Sequence, residues 1–387
     1  MNKKELELYI HIPFCVRKCS YCDFLSAPAT EQTRETYMAA LFAEIGGRAK
    51  DYSDRTVTSI FIGGGTPSLL SGEQIGQLMD RIREQFAMAQ DAEITMEANP
   101  GTASAEKLRN FYTAGINRLS IGMQSAQAEE LKNLGRIHDF EGFCQVYREA
   151  VEAGFTNINV DIMSGLPGQT LASYRDTLEK VLHLEPMPQH ISAYSLIVEE
   201  GTPFAAMAER GELPLPEEET ERAMYEETIE VLAKYGFHRY EISNYARDGY
   251  ECRHNVGYWI RRDYLGFGIG AASLIDNVRF QNEKSLGAYL AHPLESREEE
   301  QTLTVQDRME ETMFLGLRLT RGVSCVDFAE QYGRTVEEVY GEVIARNVAD
   351  GLLTVTERKE NQKKDRFLAL TKRGLDLSNY VMAQFLF

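Results

Sequence analysis

Between residues 6 and 198, short apolar runs alternate with amphipathic stretches, and no other feature restricts the fold as strongly. The apolar runs at 8–12, 57–62, 93–97, 118–122, 157–162 and 190–196 predict strands. The stretches at 31–48, 72–86, 105–114, 140–153 and 171–183 predict the helices between them. Repeated strand–helix units imply a parallel sheet, either doubly wound or curled into a barrel. Polar residues recur at the C-terminal ends of successive strands, where a β/α barrel gathers its site, and this favours the barrel. Six units rather than eight predict an α/β fold with an incomplete (β/α)6 barrel. At 387 residues the chain has room for more than this one domain. The barrel core is expected over 1–237, including a proline-rich connection at 211–216 and an acidic amphipathic helix at 217–235. An aromatic, glycine-rich segment at 238–305 is expected to continue the barrel edge. Over 306–387 the texture changes. Helical patterns at 307–319, 326–332 and 336–350 precede apolar runs at 352–356 and 367–370, separated by a polar turn at 360–365. Helices followed by a hairpin predict a C-terminal winged-helix-like α+β domain.

The first expected strand runs directly into Cys15, Cys19 and Cys22, three cysteines within eight positions, and the next cysteine is Cys144. Structural zinc sites usually close a tetrahedron with four protein ligands, and ferredoxin clusters likewise take four thiolates. Three thiolates on one short loop suit a 4Fe–4S cluster that leaves one iron without a protein ligand, and an open coordination position is where chemistry can happen. A zinc site completed by His11 or by a distant residue is the alternative.

Further polar groups stand at the strand ends. Gly63-Gly64-Gly65-Thr66-Pro67 follows the second strand, and glycines let a backbone approach a ligand closely and offer its amides as donors. Glu97 ends the third strand, just before Asn99-Pro100-Gly101, and can accept hydrogen bonds from an amine or a ribose hydroxyl. Gln124 occupies the equivalent place after the fourth strand, and Asp161 ends the fifth. Arg136 can hold a carboxylate by bidentate contact. Tyr9, two residues before His11, points the same way along its strand and can wall a cluster. Taken singly, each of these is as well explained by loop stabilisation; their recurrence at one end of consecutive strands singles them out. Downstream, His254-Asn255-Val256-Gly257-Tyr258-Trp259 contains the only tryptophan of the chain. Imidazole is a common axial iron ligand, and aromatic faces pack on a macrocycle. Equally, His254 and Trp259 can anchor the open side of the barrel against the following strand. Cys252-Arg253-His254 is not the C-x-x-C-H attachment motif of c-type haem.

The cysteine loop, C-x3-C-x-aromatic-C with Tyr21 as the aromatic, resembles that of the radical S-adenosylmethionine (SAM) superfamily. In that family the open iron chelates the amino and carboxylate groups of SAM, and an electron from the reduced cluster breaks the sulfonium C–S bond to yield a 5′-deoxyadenosyl radical. His11-Ile12-Pro13-Phe14-Cys15, Gly63-Gly64-Gly65-Thr66-Pro67 and Gly165-Leu166-Pro167-Gly168-Gln169 occur in that order. With Ile191-Ser192-Ala193-Tyr194-Ser195 and Glu200-Gly201-Thr202-Pro203, they resemble the oxygen-independent coproporphyrinogen-III-oxidase-like branch over nearly the whole chain. The resemblance implies that Tyr9, Tyr21, Gly64, Gly65, Thr66, Glu97, Gln124, Arg136 and Asp161 line SAM-binding space, with Ile197 and Ala271 as looser matches.

That branch holds two kinds of protein. The coproporphyrinogen III dehydrogenase oxidatively decarboxylates two propionates; it carries a further cysteine two positions after the third ligand, and a substantial N-terminal extension. Here Phe24 stands at that position and 14 residues precede Cys15, so dehydrogenase activity is not expected and no residue is singled out as catalytic. Residues 254–259 instead resemble the H-N-x-x-Y-W signature of the related haem chaperones, which makes His254, Tyr258 and Trp259 the haem candidates. The expected protein binds a 4Fe–4S cluster, SAM and haem, and passes haem to acceptor haem proteins, those of the respiratory chain among them. A homodimer organised by the cluster is compatible with this expectation.

A formal net charge of −18, from 59 acidic against 41 basic residues, disfavours sequence-independent nucleic-acid binding. The winged-helix-like part is therefore expected to pack or to meet a protein partner. Six cysteines, three of them clustered, do not form a disulfide framework. With neither a signal-peptide core nor a membrane span, the expected location is the cytoplasm, with any membrane contact peripheral and made through a partner.

Overall fold

The computed structural model describes residues 4–360 and 363–386. Six parallel strands lie side by side in chain order: β1 (Lys4–Ile12), β2 (Arg55–Gly64), β3 (Ala87–Ala98), β4 (Arg118–Gln124), β5 (Ile158–Ser164) and β6 (His190–Ser195). Helices α1 (Glu31–Arg48), α2 (Gly72–Gln85), α3 (Ala105–Thr113), α4 (Ala128–Leu134), α5 (Phe140–Ala153) and α6 (Leu171–Leu182) connect them, followed by α7 (Pro203–Glu209) and α8 (Glu218–Lys234). The first and sixth strands do not pair with each other, so this is the incomplete barrel that the alternation predicts.

Period-two alternation decides which residues line the barrel. On β1, Leu6, Leu8, Ile10 and Ile12 are fully buried in the barrel's apolar core, while Glu7, Tyr9 and His11 point to the opposite face. The register sets Tyr9 beside Phe61 and Ser59 beside Glu93, which builds polar and aromatic layers across neighbouring strands. The helix starts follow from local chemistry: Thr30, Ser104 and Asp139 cap their helices, and Ser71 and Thr170 form reciprocal capping boxes.

Six strands leave two open edges, and residues 238–305 cover both rather than one. On the β6 side lie β8 (Asn244–Ala246) and β7 (His238–Arg239). The chain then passes through α9 (Arg253–Trp259), which packs on β2. Strands β9 (Tyr264–Phe267), β10 (Ala272–Ile275), β11 (Val278–Asn282) and β12 (Arg297–Thr302) follow and extend the sheet beyond β1. Buried Glu44 of α1 secures this margin. It accepts from Gly268 N (2.9 Å), Asn282 Nδ2 (2.7 Å) and the Tyr289 hydroxyl (2.7 Å), and pairs with Arg48 (2.8 Å). Tyr289 belongs to α10 (Leu286–Ala291).

The C-terminal part comprises α11 (Val305–Gly316), β13 (Val323–Ser324), α12 (Cys325–Tyr332) and α13 (Val336–Ala349), then β14 (Leu353–Glu360) and β15 (Lys363–Leu370), with two short helices at Lys372–Asp376 and Ser378–Ala383. Its sheet runs β13-β15-β14, and it has a core of its own that includes Met313, Phe328, Tyr340, Leu368 and Phe385. This is the expected winged-helix-like α+β arrangement. The hairpin strands extend past the apolar runs at 352–356 and 367–370, because the backbone ladder continues through the charged residues beyond them, from Leu353↔Leu370 to Glu360↔Lys363. The centre of the expected polar turn, 361–362, lies outside the described residues. Among the described residues, no helix is long and apolar enough to cross a membrane.

Candidate cluster and cofactor site

The loop after β1 forms the rim of the site, and neighbouring elements hold it. Cys15 N donates to Ala27 O (3.1 Å) and Ala27 N to Pro13 O (3.0 Å), which closes the loop on itself. Ser20 N donates to Leu134 O (3.0 Å) at the end of α4, and Phe204 N at the start of α7 donates to Ser20 O (3.1 Å). The half-buried Cys15, Cys19 and Cys22 face one cavity of about 210 Å³. Among the described residues, no three His, Cys, Asp or Glu side chains converge as the ligands of a single metal ion would. His11, the residue that would complete a zinc tetrahedron, has Nε2 on Leu25 O (2.8 Å) and Nδ1 on the Tyr9 hydroxyl (3.0 Å). Three thiols that border a common space without converging on one point, beside a His11 that is already engaged, fit a cluster that spans them better than a closed zinc site. Burial pushes the Cys22 thiol up, so it would give up a proton on taking iron.

The same cavity gathers Tyr21 from the cysteine loop and Gly64, Gly65, Thr66, Glu97, Gln124, Arg136 and Asp161 from the ends of β2 to β5 and the loops after them. Tyr9 lies instead in an adjoining cavity. Ile197 is exposed and Ala271 is buried against Gly266, and neither lines the cavity. The glycines are needed for close packing. Gly64 has φ +111°, and a Cβ there would sit 2.6 Å from the His11 ring, while one on Gly65 would sit 2.7 Å from Phe14 O. Their amides, however, do not stand free as donors. Gly65 N donates to Ile12 O (2.8 Å), Thr66 N to Phe14 O (2.7 Å) and Gly64 N to Glu97 Oε2 (3.1 Å). The segment braces the cysteine loop, and the Thr66 hydroxyl lies 3.4 Å from Cys15 Sγ. What it has left for an ammonium guest is carbonyl oxygen.

Two acids floor the cavity. Burial, reinforced by nearby Asp161, raises the Glu97 carboxyl to about 8. Burial also raises Asp161, although Asn159 Nδ2 (2.7 Å) and the Ser120 hydroxyl (3.2 Å) donate to it. A dry pair of carboxyls favours a cationic guest that restores their charge. Arg136 reaches Cys19 Sγ (3.7 Å) and Gly122 O (2.9 Å), while its Nε, like Gln124 Oε1, is buried without a partner among the described residues. Gln124 also holds φ 64°, in the left-handed region. Buried polar atoms without partners, on strained backbone, are the mark of a site awaiting a polar guest. Ser120 and Tyr194 join the lining as well. Sequence reasoning passed over both, yet alternation along β4 sets Ser120 on the same side as Gly122.

The Glu97 environment predicts a pH effect. A carboxyl that titrates higher in the folded state opposes folding once ionised, so the unloaded protein should lose stability as pH rises from about 4.5 to about 8. Glu7, raised by burial to about 8, adds to the same slope. Thermal midpoints across this window should fall less steeply for Glu97→Gln than for wild type; parallel curves would show that Glu97 is ionised throughout.

Phe24, Gly64 and Glu97 also border a second cavity of about 550 Å³, whose wall includes Tyr9, Phe61, Tyr258 and Trp259. His254 does not line it. Its Nδ1 lies 2.8 Å from the Ser59 hydroxyl and its Nε2 3.0 Å from the Tyr258 hydroxyl, and burial lowers its pKa to about 3. The backbone amides of Arg253 and His254 donate to Glu93 (both 3.2 Å). As placed, His254 keeps no nitrogen for iron. It ties α9 to β2, the second strand of the barrel, and not to the strand that follows α9.

An open six-stranded parallel barrel whose first strand delivers three thiols to a cavity floored by the later strand ends defines a radical SAM protein. Residues 9–181 match the Radical SAM superfamily and residues 303–377 the HemN C-terminal domain. The chain is 39% identical over 385 residues to the heme chaperone HemW of Bacillus subtilis, with 98% of each chain covered. It is 36% identical over 387 residues to that of Lactococcus lactis, covering 100% of this chain and 98% of the relative. Against the heme chaperone HemW of Escherichia coli the identity is 37% over 358 residues, covering 90% and 92%. Among solved structures, coproporphyrinogen III oxidase (HemN) from Escherichia coli, a radical SAM enzyme, aligns with TM-score 0.85 and 27% identity, over 100% of this chain and 91% of that one. The chain belongs to the HemW family.

Proposed function

We propose that this protein is a haem chaperone that carries a 4Fe–4S cluster on Cys15, Cys19 and Cys22, binds SAM beside it, and passes haem to acceptor haem proteins. The observation that carries this reading is the full-length match to HemW relatives, in a chain whose three loop thiols share a cavity with the polar strand ends. A cluster with one iron free of protein ligands supplies a Lewis-acidic position for the amino and carboxylate groups of SAM. Around it, Glu97 and Asp161 offset the positive charge of the guest, while Arg136 and Gln124 hold its carboxylate. Tyr21 walls the cavity, the segment Gly64-Gly65-Thr66 braces the loop, and Tyr9 fixes the imidazole of His11. The chain works in three parts: the core at 1–237, the margin-building segment at 238–305 and the C-terminal domain at 306–387. The acceptors are respiratory-chain haem proteins, reached in the cytoplasm or peripherally at the membrane through the partner, and a homodimer is organised by the cluster.

The coproporphyrinogen dehydrogenase reading is not favoured. Phe24, 59% exposed, stands between the two cavities where the resemblance calls for a cysteine. Titrating the purified protein with haem should give a saturable Soret shift, and the bound haem should pass to an apo-acceptor. A non-saturable titration would remove the basis of the chaperone reading, and turnover of coproporphyrinogen III under anaerobic reducing conditions with SAM would replace it.

A further inference from the structure

Resting on the chaperone reading, we infer that the aromatic cavity between α9 and α11 seats the haem, and that Glu311 of the C-terminal domain occupies the place of a haem propionate. At about 550 Å³ the cavity lies within the usual range of small-molecule sites. Tyr9, Phe61, Tyr258, Trp259, Leu274 and Leu315 give it aromatic and aliphatic walls suited to a flat macrocycle. Besides Glu97 and His11, which also border it, two cations, Arg261 and Arg279, interrupt this apolar lining. Both are held by one carboxylate: Arg261 Nε lies 2.7 Å from Glu311 Oε2, and Arg279 Nη2 lies 2.7 Å from Glu311 Oε1. Arg261 and Glu311 are nearly inaccessible, and Arg261 holds φ 56°, a conformation a non-glycine residue rarely adopts. The indole Nε1 of Trp259 is buried without an acceptor among the described residues.

Paired arginines are unusual furniture for an apolar cavity in a chain of net charge −18. They are suited to a flat ligand that carries carboxylates on its edge, and haem carries two. A buried ion pair contributes little net stability, because desolvating its charges offsets their attraction. Exchanging the Glu311 carboxylate for a propionate replaces one buried pair with another, so the arginines stay paired throughout. The exchange also unties α11 from the barrel margin, since Arg261 follows α9 and Arg279 lies on β11. Occupancy of the cavity is thereby transmitted to the C-terminal domain, next to the cavity that faces the cysteines.

The full-length protein tests this directly, because Trp259 is the sole tryptophan and its fluorescence reports on the cavity. Haemin, metal-free protoporphyrin IX and protoporphyrin IX dimethyl ester are titrated into wild type, Glu311→Gln and Arg279→Met. Removing the competing carboxylate should tighten haemin and protoporphyrin IX about tenfold, and Arg279→Met should weaken both about tenfold, the scale of one charge-assisted hydrogen bond. The dimethyl ester, which has no carboxylate, should bind all three proteins alike. A gain of affinity in Glu311→Gln cannot arise from misfolding. If wild type binds haemin but Glu311→Gln binds with equal or lower affinity, this inference falls and the chaperone reading stands. If wild type does not bind haemin saturably, both fall.

Discussion

Anaerobic reconstitution of Cys15→Ala, Cys19→Ala and Cys22→Ala should each yield protein without a 4Fe–4S cluster, whereas Cys144→Ala and Cys325→Ala should reconstitute as wild type does. The effect is expected to be all or none, because, among the described residues, no other cysteine lines the cavity to replace a lost thiolate. His11 has both nitrogens engaged, and Cys252 is buried against Glu93, with its sulfur 3.6 Å from Glu93 Oε1. Cys144 lies on α5 and Cys325 begins α12, both away from the rim. The loop should survive each substitution, since its backbone is held by Leu134, Ala27 and Phe204 rather than by sulfur. Iron and sulfide content, read beside an unchanged far-ultraviolet circular dichroism spectrum, makes the comparison. A full cluster complement in any of the three loop variants would place the ligands elsewhere.

The second large effect concerns His254. His254→Ala should lower stability by about 2–4 kcal/mol, through the cavity it opens and the partners it strands. Those partners are the hydroxyls of Ser59 and Tyr258, each left without its hydrogen-bonding partner on the imidazole. His254→Gln, which can both donate and accept, should recover part of the loss. Both variants should keep the wild-type Soret maximum once loaded with haem, because the ring is not presented to iron. A displaced maximum in a well-folded His254→Gln would mean that the imidazole turns out to the metal. The sign of the pH dependence is fixed as well. A histidine whose folded pKa lies near 3 takes up its proton more readily when unfolded, so it withdraws stability as pH falls from about 6.5 to about 3. His11 and His190, both lowered by burial, act in the same direction. His254→Gln should flatten acid unfolding over that range. The Glu97 effect has the opposite sign, as its stability loss accompanies rising pH.

Much of the barrel was legible because its signals are local. The helix at Glu31–Arg48 and that at Phe140–Ala153 match their amphipathic patterns, and residues such as Ser71 and Thr170 mark starts that any sequence could show. Helices α4, α7 and α9 did not stand out, since seven residues carry too little of a 3.6-residue period to distinguish them from loops. The polar strand ends and the family resemblance together picked out eight residues that meet in one cavity, those at strand ends because such a position is itself a statement about space in a parallel barrel. The motif at 254–259 was ambiguous for the converse reason. A histidine beside aromatics has the same composition whether it binds iron or bridges Ser59 to Tyr258.

By itself the sequence determined the strand–helix alternation, its count of six strands, the three thiols and the acids at the strand ends, since periodicity and spacing along one chain suffice for these, while the place of the polar residues favoured a barrel over a doubly wound sheet. Tertiary structure alone decided that the glycine amides brace the cysteine loop, that residues 238–305 cover both margins of the sheet, and that Arg261 and Arg279 meet Glu311 from a distant helix. Hydrogen-bond partners and ion pairs join residues far apart in sequence, and which donor finds which acceptor depends on how the whole chain closes upon itself.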